Sequence, residues 1–430
     1  MIGRSLRSRG NPTPVKILFV TQHYLPEMGA LPGRISEMAR EWTRLGHEVH
    51  VLSPVPNHPT GVVPPAYRGK PYFEEQDPFG IRATRTWIYT APNKGKVRRS
   101  LAFGSFLLTG TIAGISVIPD VDVVIGTSPQ PLAAFAAFAI ATAKRRPFVL
   151  EVRDLWPESI VSVGALSATH PIVRVMRVAM DMLAKRAKRL VVVTKAFEDE
   201  YARRGIDRSK VAYMPNGVDL TKFVPVDAVD GDREFLGGAS LPGEARKIVV
   251  SYMGTHGMAH DLSRLLDVAD RLKRSHPNVA FAFIGDGAER KNLEQSSEKR
   301  GLTNVRFLGV QPRDRMPALY AATDLCVVPL RKDDLFKTVL PSKIFEIMAM
   351  RKPMALAVDG EAREIVERAG GGMYVPPGDT DALTEAIRTL VEDPDRLRVM
   401  GERSRTFVER EFDRTKIARD YANLLAAAVS

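Results

Sequence analysis

Runs of apolar, β-branched residues alternate with helix-periodic stretches along nearly the whole chain. Residues 15–21 form the first run, and 33–45 repeat with helical spacing. Further runs lie at 48–53, 81–87, 121–127, 148–152, 190–194 and 211–214. These runs are continuously apolar, which predicts parallel strands buried on both faces. The pattern breaks over 224–246, where Pro, Asp, Gly and Glu lack periodicity, and reads as a linker. It restarts at 248–253 and continues at 279–284, 305–308, 325–328, 354–358 and 373–375. The expectation is an α/β chain of two doubly wound, Rossmann-like domains, 1–223 and 224–412. Ligand crevices then lie at the carboxyl ends of the strands, with a cleft where the domains face each other. A last helix, 413–430, is expected to pack back toward the first domain.

A length of 430 residues fits two such domains. With 44% hydrophobic and 26% charged residues, disordered and fibrous classes are excluded. The one cysteine, Cys326, excludes a disulfide scaffold and reads as a buried strand residue. No apolar run of signal-peptide length follows Arg4, Arg7 and Arg9, which points to the cytoplasm. The net charge of +12 is unevenly placed: residues 1–220 carry 30 basic against 18 acidic side chains, and 221–430 carry 32 of each. Two halves so different in charge are expected to meet different partners. Residues 101–118 hold no charge and follow Lys94, Lys96, Arg98 and Arg99. As a helix of about 27 Å this stretch is short for a span. It is packed on a sheet, laid in a membrane surface with the basic cluster at lipid phosphates, or, as the third alternative, a true span.

Chemistry concentrates in the turns after strands. Gln22-His23-Tyr24-Leu25-Pro26-Glu27-Met28-Gly29-Ala30 joins a strand to a helix, a place where backbone N–H groups can hold an anion; an ordinary turn is the alternative. It is not a G-x-G-x-x-G fingerprint. Gly254-Thr255-His256-Gly257 and Gly285-Asp286-Gly287 put two backbone-open loops at strand ends of the second domain, which suits a nucleotide. In Pro341-Ser342-Lys343-Ile344-Phe345-Glu346, Pro341 opens a helix, Lys343 supplies a mobile charge for a diphosphate, and Glu346 shares its face. A Lys–Glu surface pair is the plainer alternative. In the first domain, Asn57 and His58 lie in a turn-rich loop, and Arg153, Asp154 and Glu158 cluster after the fifth strand. Arg153–Asp154 is either a site or a structural ion pair.

Together these pieces resemble the retaining glycosyltransferases of family 4, which have the GT-B fold. Pro215-Asn216-Gly217-Val218-Asp219, the Gly285 loop and the stretch from Pro341 to Glu346 carry the resemblance over nearly the whole chain. Glu151-Val152-Arg153-Asp154-Leu155-Trp156-Pro157-Glu158-Ser159, the segment from Gly254 to His260 and the loop from Asn57 to Gly61 look like the fucosamine-transferase-like subgroup of O-antigen and capsule synthesis. The resemblance implies transfer of an N-acetylated hexosamine from a UDP-sugar to a polyprenyl-diphosphate-linked acceptor. It places the enzyme at the inner face of the cell membrane, as a peripheral protein, and implies no cofactor or metal. Glu346 is then the ribose partner, Lys343 and the Gly29-Ala30 loop face the diphosphate, and Asp154 orients or deprotonates the acceptor hydroxyl. Thr338 stands where the family has its first Glu, so Lys337 or backbone near Leu340 would meet the donor sugar. A non-catalytic membrane-docking subunit of a polysaccharide assembly complex and a nucleotide-sugar 2-epimerase are the alternatives. Nucleic acid is not expected, since no reading helix or stacking platform accompanies the charge.

Overall fold

The computed structural model describes residues 13–27, 29–57, 61–90, 96–162, 164, 166–239 and 246–430. It divides into two compact units, 1–216 with 415–430, and 217–414. The first unit holds β1 (Lys16–Val20), α1 (Ala30–Arg44), β2 (Glu48–Pro54), β3 (Tyr72–Gln76), β4 (Arg82–Thr86), α2 (Lys96–Ser116), β5 (Val123–Thr127), α3 (Pro131–Ala143), β6 (Phe148–Val152), α4 (Glu158–Ser162), α5 (Pro171–Arg186), β7 (Arg189–Val192), α6 (Lys195–Arg203) and β8 (Val211–Tyr213). The second holds α7 (Asp230–Phe235), β9 (Ile248–Met253), α8 (Leu262–Ser275), β10 (Val279–Ile284), α9 (Arg290–Lys299), β11 (Val305–Phe307), α10 (Met316–Ala321), β12 (Leu325–Pro329), α11 (Lys343–Ala349), β13 (Met354–Ala357), α12 (Glu361–Ala369), β14 (Gly372–Tyr374), α13 (Thr380–Val391) and α14 (Pro394–Glu411). The final helix, α15 (Arg414–Val429), belongs to the first unit from Thr415 onward.

The sheet orders explain where a ligand can enter. The first sheet runs β3-β4-β2-β1-β5-β6-β7-β8, parallel except for β3 against β4. Its order reverses between β1 and β5, so the switch point lies beyond the carboxyl ends of those strands. The second sheet, β11-β10-β9-β12-β13-β14, is parallel throughout and reverses between β9 and β12. Strands β5, β6 and β10 are buried at every position, as two-sided cover requires.

Small residues set the closest layers. The alanine-rich α3 lies so near β5 that a Cβ on Gly126 would sit 2.7 Å from that of Ala137. The chain's end closes the first core: Trp42 of α1 donates to the Ala418 carbonyl at 2.9 Å, and its ring meets Tyr421 edge-on at 5.2 Å.

Two expectations change. The boundary between the units falls at 216/217, not after 223. The stretch 224–246 is not wholly linker, since α7 lies within it and Leu236 is buried in the second core. Its helix is short and polar outside, which hides it from a periodicity search. The antiparallel edge strand β3 also went unread, because Tyr72-Phe73-Glu74-Glu75-Gln76 is half exposed.

Candidate functional site

In the second unit the loops after β9 and β10 meet beside the switch point, backbone to backbone. Gly254 and Gly285 hold φ of +146° and +132°, and a Cβ on Gly285 would run into the Gly254 carbonyl. Likewise a Cβ on Gly287 would strike the His256 carbonyl. The loops are tied by the His256 N–H donating to the Asp286 carbonyl at 2.8 Å and the Glu289 N–H donating to His256 at 2.9 Å. Only glycine satisfies both the dihedrals and the approach.

Lys343, the first residue of α11, reaches over this loop. Its Nζ lies 3.9 Å from the centroid of the Tyr252 ring and 2.5 Å from where a Gly254 Cβ would be. That Nζ is buried and has no hydrogen-bond partner among the described residues. Burial pushes its pKa down to about 7, against the pull of Glu346 and Cys326. Both ring nitrogens of the fully buried His256, and Nδ1 of His260, also lack partners. Burial lowers these two imidazoles to about 4 and about 3. They are therefore neutral at physiological pH and bring no charge to the loop. Tyr252 holds its shape by donating to the Thr255 carbonyl at 2.7 Å. An unpartnered, desolvated ammonium beside an open glycine loop is what an anionic group would complete.

The other donor-side residues have settled partners. Glu346 accepts from Arg313 and from the Tyr320 hydroxyl, each at 3.2 Å. Asp286 caps the Gly287 N–H at 2.8 Å. Lys337 is exposed and paired with Asp334 at 2.8 Å. Leu340 is buried in the core, and Pro341 and Ser342 lead into α11. That helix has only seven residues and no side-chain cap, so its dipole is small and Lys343 must carry the charge.

The first unit brings Gly29, Arg153 and Asp154 to strand ends flanking its switch point. Gly29 precedes α1 at φ +147°, with Ala30 as that helix's first residue. Ser128, after β5, organises the loop after β6: its hydroxyl accepts the Arg153 N–H at 3.0 Å and donates to the Asp154 carbonyl at 3.3 Å. Burial raises the Asp154 carboxyl to about 6, although Arg153 opposes the shift. It lowers Arg153 to about 10. Gln22 Oε1, Arg153 Nε and Trp156 Nε1 are buried without hydrogen-bond partners among the described residues. Cys326, by contrast, is inert: burial pushes its thiol up to about 12.

Two first-unit candidates turn elsewhere. Glu158 accepts from Arg177 at 2.9 Å and pairs with Arg204 at 3.1 Å. Burial disfavours its charge, but those arginines outweigh it and hold the carboxyl below its usual value. Its Oε1 is thus the centre of an ion cluster, while its Oε2 is buried without a hydrogen-bond partner among the described residues. Asn57 spends its side-chain amide on the Val55 carbonyl, and its N–H donates to Glu27 at 2.8 Å. His58 and Lys94 lie outside the described residues. Motif reading missed Tyr252 beneath Lys343, the Ser128 hydroxyl, and the buried pair of Arg34 and Glu151 at 3.3 Å. Arg34 also donates to the Pro215 and Met214 carbonyls at 2.8 and 2.9 Å. The signals were an Arg in an amphipathic helix and a Glu near the end of an apolar strand, at the start of the stretch from Glu151 to Ser159.

Residues 31–217 match the glycosyl transferase 4-like domain, and residues 240–407 match glycosyl transferases group 1. WcaI of Escherichia coli K12, assigned as a glycosyl transferase of colanic acid biosynthesis, is 25% identical over 95% of this chain and 99% of its own. In fold the chain is similar to sucrose-phosphate synthase of Thermosynechococcus elongatus, with a TM-score of 0.74 and 18% identity, over 95% of this chain and 97% of that one. It is also similar to HepE of Anabaena in complex with UDP and glucose, with a TM-score of 0.69 and 21% identity, over 96% and 100% of the two chains. The two domain matches, one on each half, identify the chain as a GT-B glycosyltransferase of the family 4 type.

Proposed function

We propose that the chain transfers a sugar of the N-acetylated hexosamine type from a UDP-sugar to a polyprenyl-diphosphate-linked acceptor in bacterial surface polysaccharide synthesis, with retention of configuration and without a metal. The observation that carries this reading is the buried, unpartnered Lys343 ammonium against the Gly254 loop. A nucleoside diphosphate supplies the anion it lacks. As the sugar–phosphate bond breaks, charge grows on the departing diphosphate, and Lys343 with the Gly254 backbone stabilises it there. Glu346, steadied by Arg313 and Tyr320, accepts the ribose hydroxyls. Asp154, its carboxyl raised to about 6, is ionised at neutral pH and basic enough to orient or accept the proton of an acceptor hydroxyl. WcaI supports the polysaccharide setting, and the HepE complex supports UDP as the nucleotide.

The same reading sets the enzyme at the inner face of the membrane. No helix among the described residues is long and apolar enough to cross a bilayer. Yet α2 leaves Leu108 and Ile112 each 65% exposed, with Leu101 and Ile115 on the same face, while its opposite side packs on the sheet and α3. An apolar stripe on a helix opened by Lys96, Arg98 and Arg99 suits an anionic lipid surface.

The test is a panel of nucleotide sugars with polyprenyl-diphosphate-linked acceptor in detergent, read as nucleotide release and product anomeric configuration by NMR. A UDP-N-acetylhexosamine that releases UDP only with acceptor, in EDTA, and gives a retained product agrees. Donor consumption without acceptor, inversion, or no turnover with any donor contradicts the reading.

A further inference from the structure

Helix α5 has the same two-sided character as α2, from a different stretch of sequence. Val173, Met180, Leu183 and Ala184 bury one side. On the other, Val175 and Val178 are 68% and 70% exposed, flanked by exposed Ile172 and Met182. Steps of three, three and four residues keep these four on one face. Exposed valines add nothing to helix propensity and nothing to solubility, so a contiguous row of such residues marks a contact surface.

Charge selects the contact. Arg174, Lys185 and Arg186 are exposed on α5, and its one acid, Asp181, is turned to Arg204 at 3.2 Å. Helix α3 has no charged residue and packs against both α2 and α5, so the two apolar stripes belong to one helical layer. A second copy of the chain, meeting this face across a two-fold axis, would set the basic residues against each other. An anionic bilayer complements them.

We propose that α5 is a second lipid contact. Its apolar stripe enters the headgroup boundary of an anionic membrane, and Arg174, Lys185 and Arg186 meet lipid phosphates. This rests on the membrane reading of α2. What it adds is orientation: one amphipathic helix can roll about its axis, whereas two in one layer fix the plane in which the first unit lies.

Co-sedimentation of the full chain with phosphatidylglycerol–phosphatidylcholine vesicles tests this, with pure phosphatidylcholine as reference. The pair Val175→Asp and Val178→Asp is expected to lower partition onto the anionic vesicles about tenfold. UDP binding and the thermal midpoint should be unchanged, because both positions are exposed. If that pair sediments like wild type while Leu108→Asp with Ile112→Asp does not, α5 is no contact and the α2 reading stands. If wild type itself stays in solution, both fail. If light scattering shows a wild-type dimer that the α5 pair dissolves, the face joins copies and the lipid proposal is overturned.

Discussion

The two units treat buried charge in opposite ways. The first carries the chain's whole net positive charge, yet buried Arg34 and Arg85 are answered by Glu151 and Glu75, and half-buried Arg204 by Glu158, Asp181 and Glu200, while Arg153 keeps a buried Nε without a hydrogen-bond partner among the described residues. The second, over 217–414, carries 30 basic against 32 acidic side chains, yet it buries the Nζ of Lys343 with no hydrogen-bond partner among the described residues. On the proposed reading, net charge does not locate the diphosphate site. A desolvated cation without a partner does, because such a group lowers its own pKa and recovers that cost only when an anion arrives.

The largest expected effect tests the second unit directly. Lys343→Ala should lower kcat/KM for the nucleotide sugar by about 10²–10³-fold, as loss of one donor to a developing charge does, with the far-ultraviolet circular dichroism unchanged. Wild-type turnover in this variant would move the donor site elsewhere.

The second prediction sets the two units against each other in stability. Arg34→Met strands Glu151 in the core and should cost about 3 kcal/mol in urea unfolding. Lys343→Met removes a lone buried cation and should be neutral or stabilising. The sign follows from linkage. The Lys343 pKa is lowered on folding, so between about 7 and its unfolded value the unfolded chain binds more protons, and stability rises with pH. Wild type should therefore gain on Lys343→Met as pH climbs from 7 toward 10. Equal losses in the two variants would erase the contrast.

Smaller effects sharpen it. The Asp154 carboxyl, at about 6, predicts that kcat/KM falls about tenfold per pH unit below that value and that Asp154→Asn lacks this limb. Glu158→Gln, by contrast, should leave turnover within about twofold and lower stability by about 1–3 kcal/mol, as loss of a partly buried ion-pair partner does.

Much of this was legible in the sequence because it is local. Continuous apolar runs gave the parallel strands, and glycines at strand ends marked loops whose backbones do touch. The Pro341-to-Glu346 motif placed Lys343 at the start of a helix. Its burial over Tyr252 was not legible, since that depends on β9 and α11 meeting across ninety-odd positions of chain. Arg34 and Glu151 lie 117 positions apart, and neither residue announces a partner. The ion cluster at Glu158 was not legible for the same reason, since Arg177 and Arg204 reach its Oε1 from other elements.

Calorimetric titration of UDP between pH 6.5 and 9, repeated in buffers of different ionisation enthalpy, tests the central claim most directly. If Lys343 is the diphosphate's cation, binding draws a proton onto it above pH 7, and affinity falls by up to about tenfold per pH unit. Lys343→Met then binds weakly, with neither the proton uptake nor the slope. Tight, pH-independent binding by Lys343→Met, matching wild type, would contradict the account.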